Sequence, residues 1–247
     1  MRDNVSFGYR EVDARDKRRL IQEQFDPIAR TYDRVNSLLS FGLDARWRKT
    51  AVRALGLRPG ARVLDACGGT GRLARLARGA AGRDGFVAVY DLSRPMMEAG
   101  MRGDGTIDPG RRLPFVQSDV EALPCRDGSH DAVTMAFGLR NLVRPEAGLR
   151  EAFRVLKPGG RLMILEFSLP SRRLFRLLYD AYSFHGMPFA AGLIGGHGAP
   201  YRYLAESVRV FPAPEDVSGM IREAGFADIR MRGLTGGIAT IYLGTKP

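Results

Sequence analysis

The sequence predicts an α/β fold in which helices cover both faces of a seven-stranded, doubly wound sheet. Two observations support this prediction. Apolar runs alternate along the chain with segments of helical periodicity, and the last two runs flank Gly236-Gly237. Alternating strands and helices are typical of a parallel sheet, and a glycine pair between two strands indicates a hairpin. We therefore expect the last strand to be antiparallel.

Residues 1–57 are expected to form N-terminal helices that precede the sheet. Apolar residues recur at helical spacing through 11–56. Asp26, which is followed by proline, and Asp44 are each expected to cap a helix N-terminus with a carboxylate.

Residues 58–167 are predicted to form the cofactor-binding core of the sheet. Five apolar runs give strand candidates at 61–66, 85–90, 113–117, 131–136 and 160–167. Segments of helical spacing lie between them at 70–79, 93–102 and 145–156. The stretch Leu156-Lys-Pro-Gly-Gly160 predicts a sharp turn before the fifth strand, since neither proline nor glycine favours continuation of a helix.

The alternation is interrupted at 168–210, a long and largely apolar insertion. Such insertions are usually lids or binding loops, so we expect a helical lid over an apolar substrate; the plainer alternative is a helical cap that only packs on the sheet. Residues 211–247 are expected to hold helix 214–224 and strands near 226–233 and 237–244. A sheet that ends in this hairpin has the layout of the Rossmann-like class I S-adenosylmethionine methyltransferase fold.

The composition is typical of one domain that spans 1–247. Hydrophobic residues make up 45% of the chain, which is long enough to bury a full core. No apolar run reaches the ~18 residues of a membrane span, and the N-terminus lacks the apolar stretch of a signal peptide. A cytoplasmic protein is therefore expected. Cys67 and Cys125 are too few for a disulfide framework or a metal site, so we expect no metal.

The formal charge of +11 has three interpretations. It could reflect an arginine-rich solvated surface, attraction to anionic lipid headgroups or attraction to nucleic acid. The densest basic groups are Lys17-Arg18-Arg19 and Arg172-Arg173 with Arg176. No basic strand interleaved with aromatic residues resembles an RNA-binding platform, so we expect no nucleic-acid partner.

The most informative stretch is VLDACGGTGRLA at 63–74, which indicates a strand, a glycine-rich turn and a helix start. Gly69-x-Gly71-x-x-Ala74 fits the dinucleotide fingerprint, which places a pyrophosphate on a helix N-terminus. Asp65, before the glycines, favours S-adenosylmethionine, because a carboxylate attracts its ammonium and sulfonium charges and would repel a pyrophosphate. Asp91, after the next strand, suits ribose hydroxyls in either cofactor.

Further polar residues follow the later strands, at the edge where α/β sheets bind ligands. Asp119 follows the third strand and could hold an adenine amino group. Arg140-Asn141 follows the fourth strand, and Glu166 ends the fifth. Arginine and asparagine side chains demand hydrogen-bond partners, so the pair predicts a functional site. The plainer alternative is an arginine paired with a core carboxylate.

The chain resembles the ubiquinone/menaquinone biosynthesis C-methyltransferases over nearly its whole length. The carrying segments are FDPIARTYDRVNSLLSFGLDARWR at 25–48, AFGLRN at 136–141, RVLKPGGRLMILEFSLP at 154–170, YRYLAESVRVFP at 201–212 and LTGGIATIYLGTKP at 234–247. LKPGG is common to many methyltransferases, whereas the other motifs in this order are far more specific. The chain departs from the family at Arg72, usually Asp, at Cys125, usually Phe, and at Ala136, often Ser.

The resemblance implies S-adenosylmethionine as the cofactor. The residues expected to bind it are Asp65, Gly69, Thr70, Gly71, Asp91, Asp119, Val120 and Ala136. The implied reaction is carbon methylation of a reduced polyprenyl quinol, either demethylmenaquinol or the equivalent ubiquinone precursor. Arg140 and Asn141 fall where the family has its proposed ring-activating pair.

The resemblance also implies an acceptor site and a partner surface. Tyr201 or Tyr32 is expected to contact the quinol oxygen, and Phe137, Tyr182 and His197 are expected to line the acceptor site. The expected partners are the quinol and a membrane surface bound peripherally; a homodimer stays open. The alternatives are a methyltransferase for another aromatic or lipid acceptor, a nucleic-acid methyltransferase supported only by charge, and a non-catalytic scaffold of quinone biosynthesis.

Overall fold

The computed structural model describes residues 4–103, 112–195 and 198–247. Its strands are β1 (Asn4–Phe7), β2 (Arg10–Asp13), β3 (Arg62–Ala66), β4 (Phe86–Asp91), β5 (Phe115–Gln117), β6 (His130–Ala136), β7 (Leu156–Phe167), β8 (Ala227–Leu234) and β9 (Ala239–Thr245). Its α-helices are α1 (Ala14–Phe25), α2 (Tyr32–Leu39), α3 (Leu43–Leu55), α4 (Arg72–Ala81), α5 (Arg94–Gly103), α6 (Pro145–Val155), α7 (Arg173–Ala181), α8 (Met187–Gly195), α9 (Ala199–Val210) and α10 (Pro214–Glu223).

Seven of the strands form one sheet, in the order β5-β4-β3-β6-β7-β9-β8. Strands β3 to β7 pair in parallel, and β9 runs antiparallel to both β7 and β8. The predicted seven-stranded, doubly wound sheet with an antiparallel last strand is therefore confirmed. The strand order reverses between β3 and β6, and a crevice opens at such a switch point at the carboxyl ends of the strands.

The core lies in two layers, one on each face of the sheet. Residues 63–66 of β3 are completely buried, as expected for a central parallel strand covered on both sides. On one face the sheet packs against α3 and α4, through residues such as Leu55 and Leu73. On the other face it packs against α6 and α10, through residues such as Leu149 and Ile221.

The N-terminal segment differs from the prediction in three places. Residues 4–13 form a hairpin of β1 and β2 rather than part of a helix. Asp26 is not an N-cap. It is the C-cap of α1 and the first residue of a 3-10 turn, whose N-cap position is held by Phe25. Asp44 lies inside the first turn of α3, whose N-cap is Gly42. Its carboxylate binds Arg48 and Arg72 instead, because ion pairs compensate a buried charge better than one backbone N–H.

Two further features bear on the predictions. Leu156 to Gly160 belong to the span of β7 rather than to a turn that precedes it. The insertion at 168–210 contains α7, a π-helical turn at Tyr182–Gly186, α8 and α9, so the predicted lid is helical. Within the described ranges, no helix is both long and apolar enough to cross a bilayer.

Candidate active site

A cleft of about 1050 Å³, measured out to its open mouth, lies at the β3/β6 switch point. The predicted residues that line it are Asp65, Gly69, Thr70, Asp91, Asp119, Val120, Ala136, Phe137, Asn141 and Tyr32. Gly71 is not among the lining residues. A Cβ at that position would meet Phe115 and Val89, so glycine at this position lets α4 pack closely on the sheet.

The glycine turn brings the backbone close to two carboxylates. Gly69 has a φ of +55°, and its N–H donates to Asp91 Oδ2 at 2.8 Å. A Cβ on Gly68 would lie 2.7 Å from Asp65 Oδ2 and 2.8 Å from Val89 Cγ1. Only glycine fits at position 68 without displacing a neighbour.

Asp65 is fully buried at the base of this cleft. Its Oδ1 accepts a hydrogen bond of 2.7 Å from Thr134 Oγ1, whereas its Oδ2 has no partner. Burial raises the pKa of this carboxyl to about 7, since desolvation disfavours the charged form. An unpartnered carboxylate oxygen in a cleft is matched to a ligand that brings a positive charge.

Asp91 and Asp119 are held by the turns that follow β4 and β5. Asp91 accepts from the N–H groups of Gly69 and Ser93, both at 2.8 Å, and burial raises its pKa. Asp119 accepts from the N–H of Glu121 at 2.9 Å and pairs with Arg18 at 2.7 Å. Arg18 of α1 therefore contacts Asp119 within the cleft.

The N-terminal helices cover the mouth of this cleft. Besides the Arg18–Asp119 pair, Thr70 Oγ1 donates to Asp33 of α2 at 2.9 Å. Lys17, counted with the surface basic groups in the sequence, is buried, and its Nζ donates to the Leu142 carbonyl at 2.7 Å. Loss of solvent lowers the pKa of Lys17. The basic group Lys17-Arg18-Arg19 is therefore partly occupied by contacts within the protein and is not a fully open basic patch.

A second cavity, of about 1200 Å³, adjoins the first and lies under the lid. Its walls are mostly aromatic and aliphatic and include Phe25, Trp47, Phe167, Phe175, Tyr179, Met187 and Leu204. The predicted residues Tyr32, Phe137, Arg140, Tyr182 and Tyr201 also line it. Both cavities are lined by Phe25, Tyr32, Arg48 and Phe137, which form a shared wall.

The Arg140-Asn141 pair is divided between the two cavities. Arg140 lines the second, and its Nη1 donates to Glu166 Oε1 at 2.7 Å and to the Phe137 carbonyl at 2.6 Å. Its Nε is buried without a partner. Asn141 lines the first cavity and accepts from the Tyr203 hydroxyl at 3.1 Å. The alternative of an arginine paired with a core carboxylate is therefore correct for Arg140 Nη1, whereas Arg140 Nε has no partner.

The three predicted tyrosines differ in what their hydroxyls contact. The Tyr182 hydroxyl donates to the Leu39 carbonyl at 2.5 Å. The Tyr201 hydroxyl is buried with no partner, and burial raises its pKa. Burial also raises the pKa of Tyr32, and the positive charges of Arg140 and Arg48 offset part of that rise. Tyr201 therefore has a hydroxyl ready for a ligand. The remaining predicted residue, His197, lies outside the described residues.

Sequence reasoning missed several residues in and around the two cavities. Glu166 was noted at a strand end but not recognised as the partner of Arg140. Asp44, Arg48 and Arg72 form one cluster, with Asp44 Oδ2 at 2.6 Å from a nitrogen of each arginine. The i,i+4 spacing of Asp44 and Arg48 was the available signal, since residues so spaced lie on one helix face.

Comparison with known proteins agrees with this architecture. The chain is 43% identical to the ubiquinone/menaquinone biosynthesis C-methyltransferase UbiE of Ectopseudomonas mendocina, over 98% of this chain and 94% of the relative. It is 44% identical to the protein of the same name from Azotobacter vinelandii, over 98% of this chain and 95% of the relative.

Solved structures with the same fold include an S-adenosylmethionine-dependent methyltransferase of Aquifex aeolicus, with a TM-score of 0.60 and 19% identity over 81% of this chain and 89% of that one. Another is phosphoethanolamine N-methyltransferase 2 of Haemonchus contortus with S-adenosyl-L-methionine, with a TM-score of 0.61 and 15% identity over 81% of this chain and 52% of that one. The ubiE/COQ5 methyltransferase family model matches residues 11–246. The chain belongs to the ubiE/COQ5 methyltransferase family.

Proposed function

We propose that the protein transfers the methyl group of S-adenosylmethionine to a ring carbon of a reduced polyprenyl quinone precursor. The relatives are named for ubiquinone and menaquinone biosynthesis, so the acceptor is demethylmenaquinol, the equivalent ubiquinone precursor, or both. The observation that carries the proposal is the shared wall between an acid-lined cleft and an aromatic cavity. The polar donor would occupy the first cavity, the donor cleft, and the apolar acceptor would occupy the second, the acceptor cavity, so that the two meet across this wall.

The donor supplies an electrophilic methyl group on a positively charged sulfur. Asp65 would attract its cationic end through the unpartnered Oδ2. Asp91 would accept from the ribose hydroxyls with the lone pairs that Gly69 and Ser93 leave free. Asp119, held in place by Arg18, and the adjoining Val120 would border the adenine.

The acceptor needs activation, because a ring carbon beside a phenol is a poor nucleophile until the phenol loses its proton. Arg140 cannot take that proton, since the pKa of a guanidinium exceeds ~12. Arg140 and Asn141 instead stabilise the phenolate or orient a water molecule. The Tyr201 hydroxyl would donate to a ring oxygen. Holding the carbon and the methyl in line would contribute most of the acceleration, about 7–11 kcal/mol.

The direct test is methyl transfer by purified protein from radiolabelled S-adenosylmethionine to demethylmenaquinol. Turnover by the wild type, with a loss of about a hundredfold or more in Arg140→Ala, is expected. Unchanged turnover in that variant would reject the role of Arg140. Cofactor binding without turnover on any quinol would favour the scaffold, and turnover only on another aromatic compound would favour the alternative acceptor. Cells that lack the protein should accumulate demethylmenaquinone.

The lid also supports peripheral binding to an anionic membrane. Large apolar side chains that are exposed cluster on α2, α7 and α8 and at the α2–α3 turn: Leu38, Phe41, Leu174, Leu177, Leu178, Phe189, Leu193 and Ile194. Phe41 and Leu178 also line the acceptor cavity, so this face is continuous with its wall. Arg172, Arg173 and Arg176 are exposed beside it. A polyprenyl tail could therefore stay in lipid while its ring enters the cavity.

Vesicle sedimentation tests the role of this exposed apolar surface, which we call the lid face. Wild-type protein should bind vesicles of phosphatidylcholine with phosphatidylglycerol better than phosphatidylcholine alone. The double variant Leu174→Ser/Leu177→Ser should weaken binding by about ten- to a hundredfold. Met231→Ser, at an exposed residue of β8 outside this face, is the control. Equal binding by all three proteins would reject the lid face, and sedimentation equilibrium would decide the open question of a homodimer.

A further inference from the structure

A second guanidinium, that of Arg48, lies on the wall shared by the donor cleft and the acceptor cavity. Arg48 is 8% exposed and lines both cavities. Its Cζ lies 5.1 Å from the centroid of the Phe137 ring. Among the described residues, its one hydrogen bond runs from Nη1 to Asp44 Oδ2, at 2.6 Å. Because a guanidinium carries five N–H donors, most of its donors remain free for a molecule at this wall.

The charges around the acceptor cavity do not cancel. Arg140 is matched by Glu166 at 2.7 Å, so that pair is neutral. The Asp44 carboxylate is divided between Arg48 and Arg72, each at 2.6 Å. Three guanidinium groups thus face two carboxylates, and the excess positive charge belongs to the cluster that contains Arg48. The excess therefore depends on Arg72, which shares the Asp44 carboxylate with Arg48.

The other titratable groups near this wall lie on the donor side or are neutral. Asp33 of α2 accepts from Thr70 at 2.9 Å, and Asp65 of β3 lines the donor cleft. Tyr32 is kept protonated by burial, which raises its pKa. The acceptor cavity is therefore lined by two cationic side chains, Arg48 and Arg140, of which only Arg140 has a carboxylate to itself.

We propose that Arg48 binds the ionised ring oxygen of the acceptor, and that Arg72 is a positioning residue that draws the charge of Asp44 away from Arg48. This inference rests on the proposed function. The phenol proton leaves to water, and the phenolate oxygen pairs with the guanidinium. The ring carbon then forms a C–C bond to the methyl as the C–S bond breaks, sulfur keeps the bonding pair, and the carbon loses its proton to restore the aromatic ring.

A chromogenic phenol tests the assignment without turnover. The pKa of 4-nitro-1-naphthol can be followed by the visible absorbance of its anion in complexes with protein and S-adenosylhomocysteine. Wild-type protein should lower the pKa of the bound probe by about one to three units. Arg48→Gln should return it towards the value in water, and Arg48→Lys should keep part of the shift because the charge is retained. Arg72→Gln should also raise the pKa of the bound probe above the wild-type value, but by less than Arg48→Gln does.

Arg46→Gln is the matched control, since Arg46 lies on the same helix but is exposed and lines neither cavity. It should leave the probe unchanged. A wild-type protein that does not lower the pKa of the probe, or an Arg48→Gln variant that lowers it as much as wild type, would overturn the role of Arg48.

Quinol methylation separates this inference from the proposed function. In Arg48→Gln, kcat should fall most at low pH and recover as pH rises, because the bound quinol then ionises at a higher pH. Turnover by the wild type together with an unchanged pH profile in the variant would reject only Arg48. No turnover by the wild type on any quinol would reject the proposed function itself.

Discussion

The donor cleft and the acceptor cavity share a wall, yet they are built from different parts of the chain. The cleft is formed mostly by strand ends and short turns of the sheet, and backbone N–H groups hold its Asp91 carboxylate. The cavity is formed largely by side chains of α2, α3 and the lid, which lie outside the sheet. The sheet thus forms most of the proposed donor cleft, while the surrounding helices form most of the proposed acceptor cavity.

The largest expected effect concerns Glu166 of β7, which is the counterion of Arg140 in the wall of the acceptor cavity. Glu166→Gln should lower the free energy of unfolding by about 3–5 kcal/mol, because it leaves the Arg140 charge buried without a counterion. The Glu166 carboxylate also accepts from the N–H groups of Arg140 and Phe167, and an amide cannot accept all three bonds. Urea unfolding measures the change.

Glu98→Gln is the control for this variant, since Glu98 pairs with Arg94 at the surface. It should change the free energy of unfolding by about 1 kcal/mol or less. Similar losses of unfolding free energy in both variants would show that the buried Arg140–Glu166 pair stabilises the protein no more than a surface pair does.

The next effect concerns the cleft alone. Gly68→Ala should weaken binding of S-adenosylmethionine by about five- to a hundredfold, since an added Cβ would press on Asp65 and Val89 at a cost of about 1–3 kcal/mol. Gly79→Ala, in α4 with nothing within 4 Å of the added Cβ, should leave binding unchanged. Isothermal titration measures both, and equal affinities would contradict the tight fit at the glycine turn.

The pH dependence sharpens the assignment of Asp65. Burial raises its pKa from 3.8 to about 7, so the folded protein binds a proton that the unfolded chain has already lost between these values. Stability from this group is therefore present below about pH 4 and is lost as pH rises through 7. Donor affinity should move the other way and increase from pH 6 to 8, because the cation binds the ionised carboxylate.

Asp65→Asn tests that dependence. The variant should bind the donor weakly at every pH in this range, and its stability should no longer fall as pH rises through 7. Titration at pH 6, 7 and 8, with urea unfolding at each, provides both readouts. A pH-dependent affinity that survives in Asp65→Asn would assign the titration to another group.

The smallest effect separates two tyrosines of the acceptor cavity. Tyr201→Phe removes a buried hydroxyl without a partner and should stabilise the protein by about 1 kcal/mol while it raises the KM for the quinol. Tyr182→Phe removes a hydroxyl bonded to Leu39 and should destabilise by about 1 kcal/mol with KM unchanged. If the two variants behave alike, the Tyr201 hydroxyl has no role in recognition.

The sequence predicted the sheet and much of the donor cleft for one physical reason. Parallel strands must bury long apolar runs, and the polar residues that follow those runs meet at one edge. Asp65 and Asp91 each follow such a run, and the glycine-rich turn after Asp65 marked the same edge. The strand-end pair Arg140-Asn141 was found in the same way, although its division between two cavities was not.

The acceptor cavity was harder to predict because its walls depend on how helices pack against the sheet. Asp44 was expected to be a cap, but its carboxylate contacts Arg72 of α4, a pairing between residues 28 positions apart. No local pattern encodes such a contact. The β1–β2 hairpin was missed because its four-residue strands carry too few apolar side chains to show an alternation.

The segment that covers the donor cleft lies before the sheet in the sequence, yet its contacts come from much later in the chain. The Lys17 Nζ donates to the Leu142 carbonyl, and the N–H of Tyr9 donates to Glu206. Contacts so distant in sequence close large loops, and the entropy cost of that closure slows folding. We therefore predict that this segment docks on a sheet that can form without it, and such a cover is suited to open by itself, without unfolding the sheet, when the spent cofactor leaves.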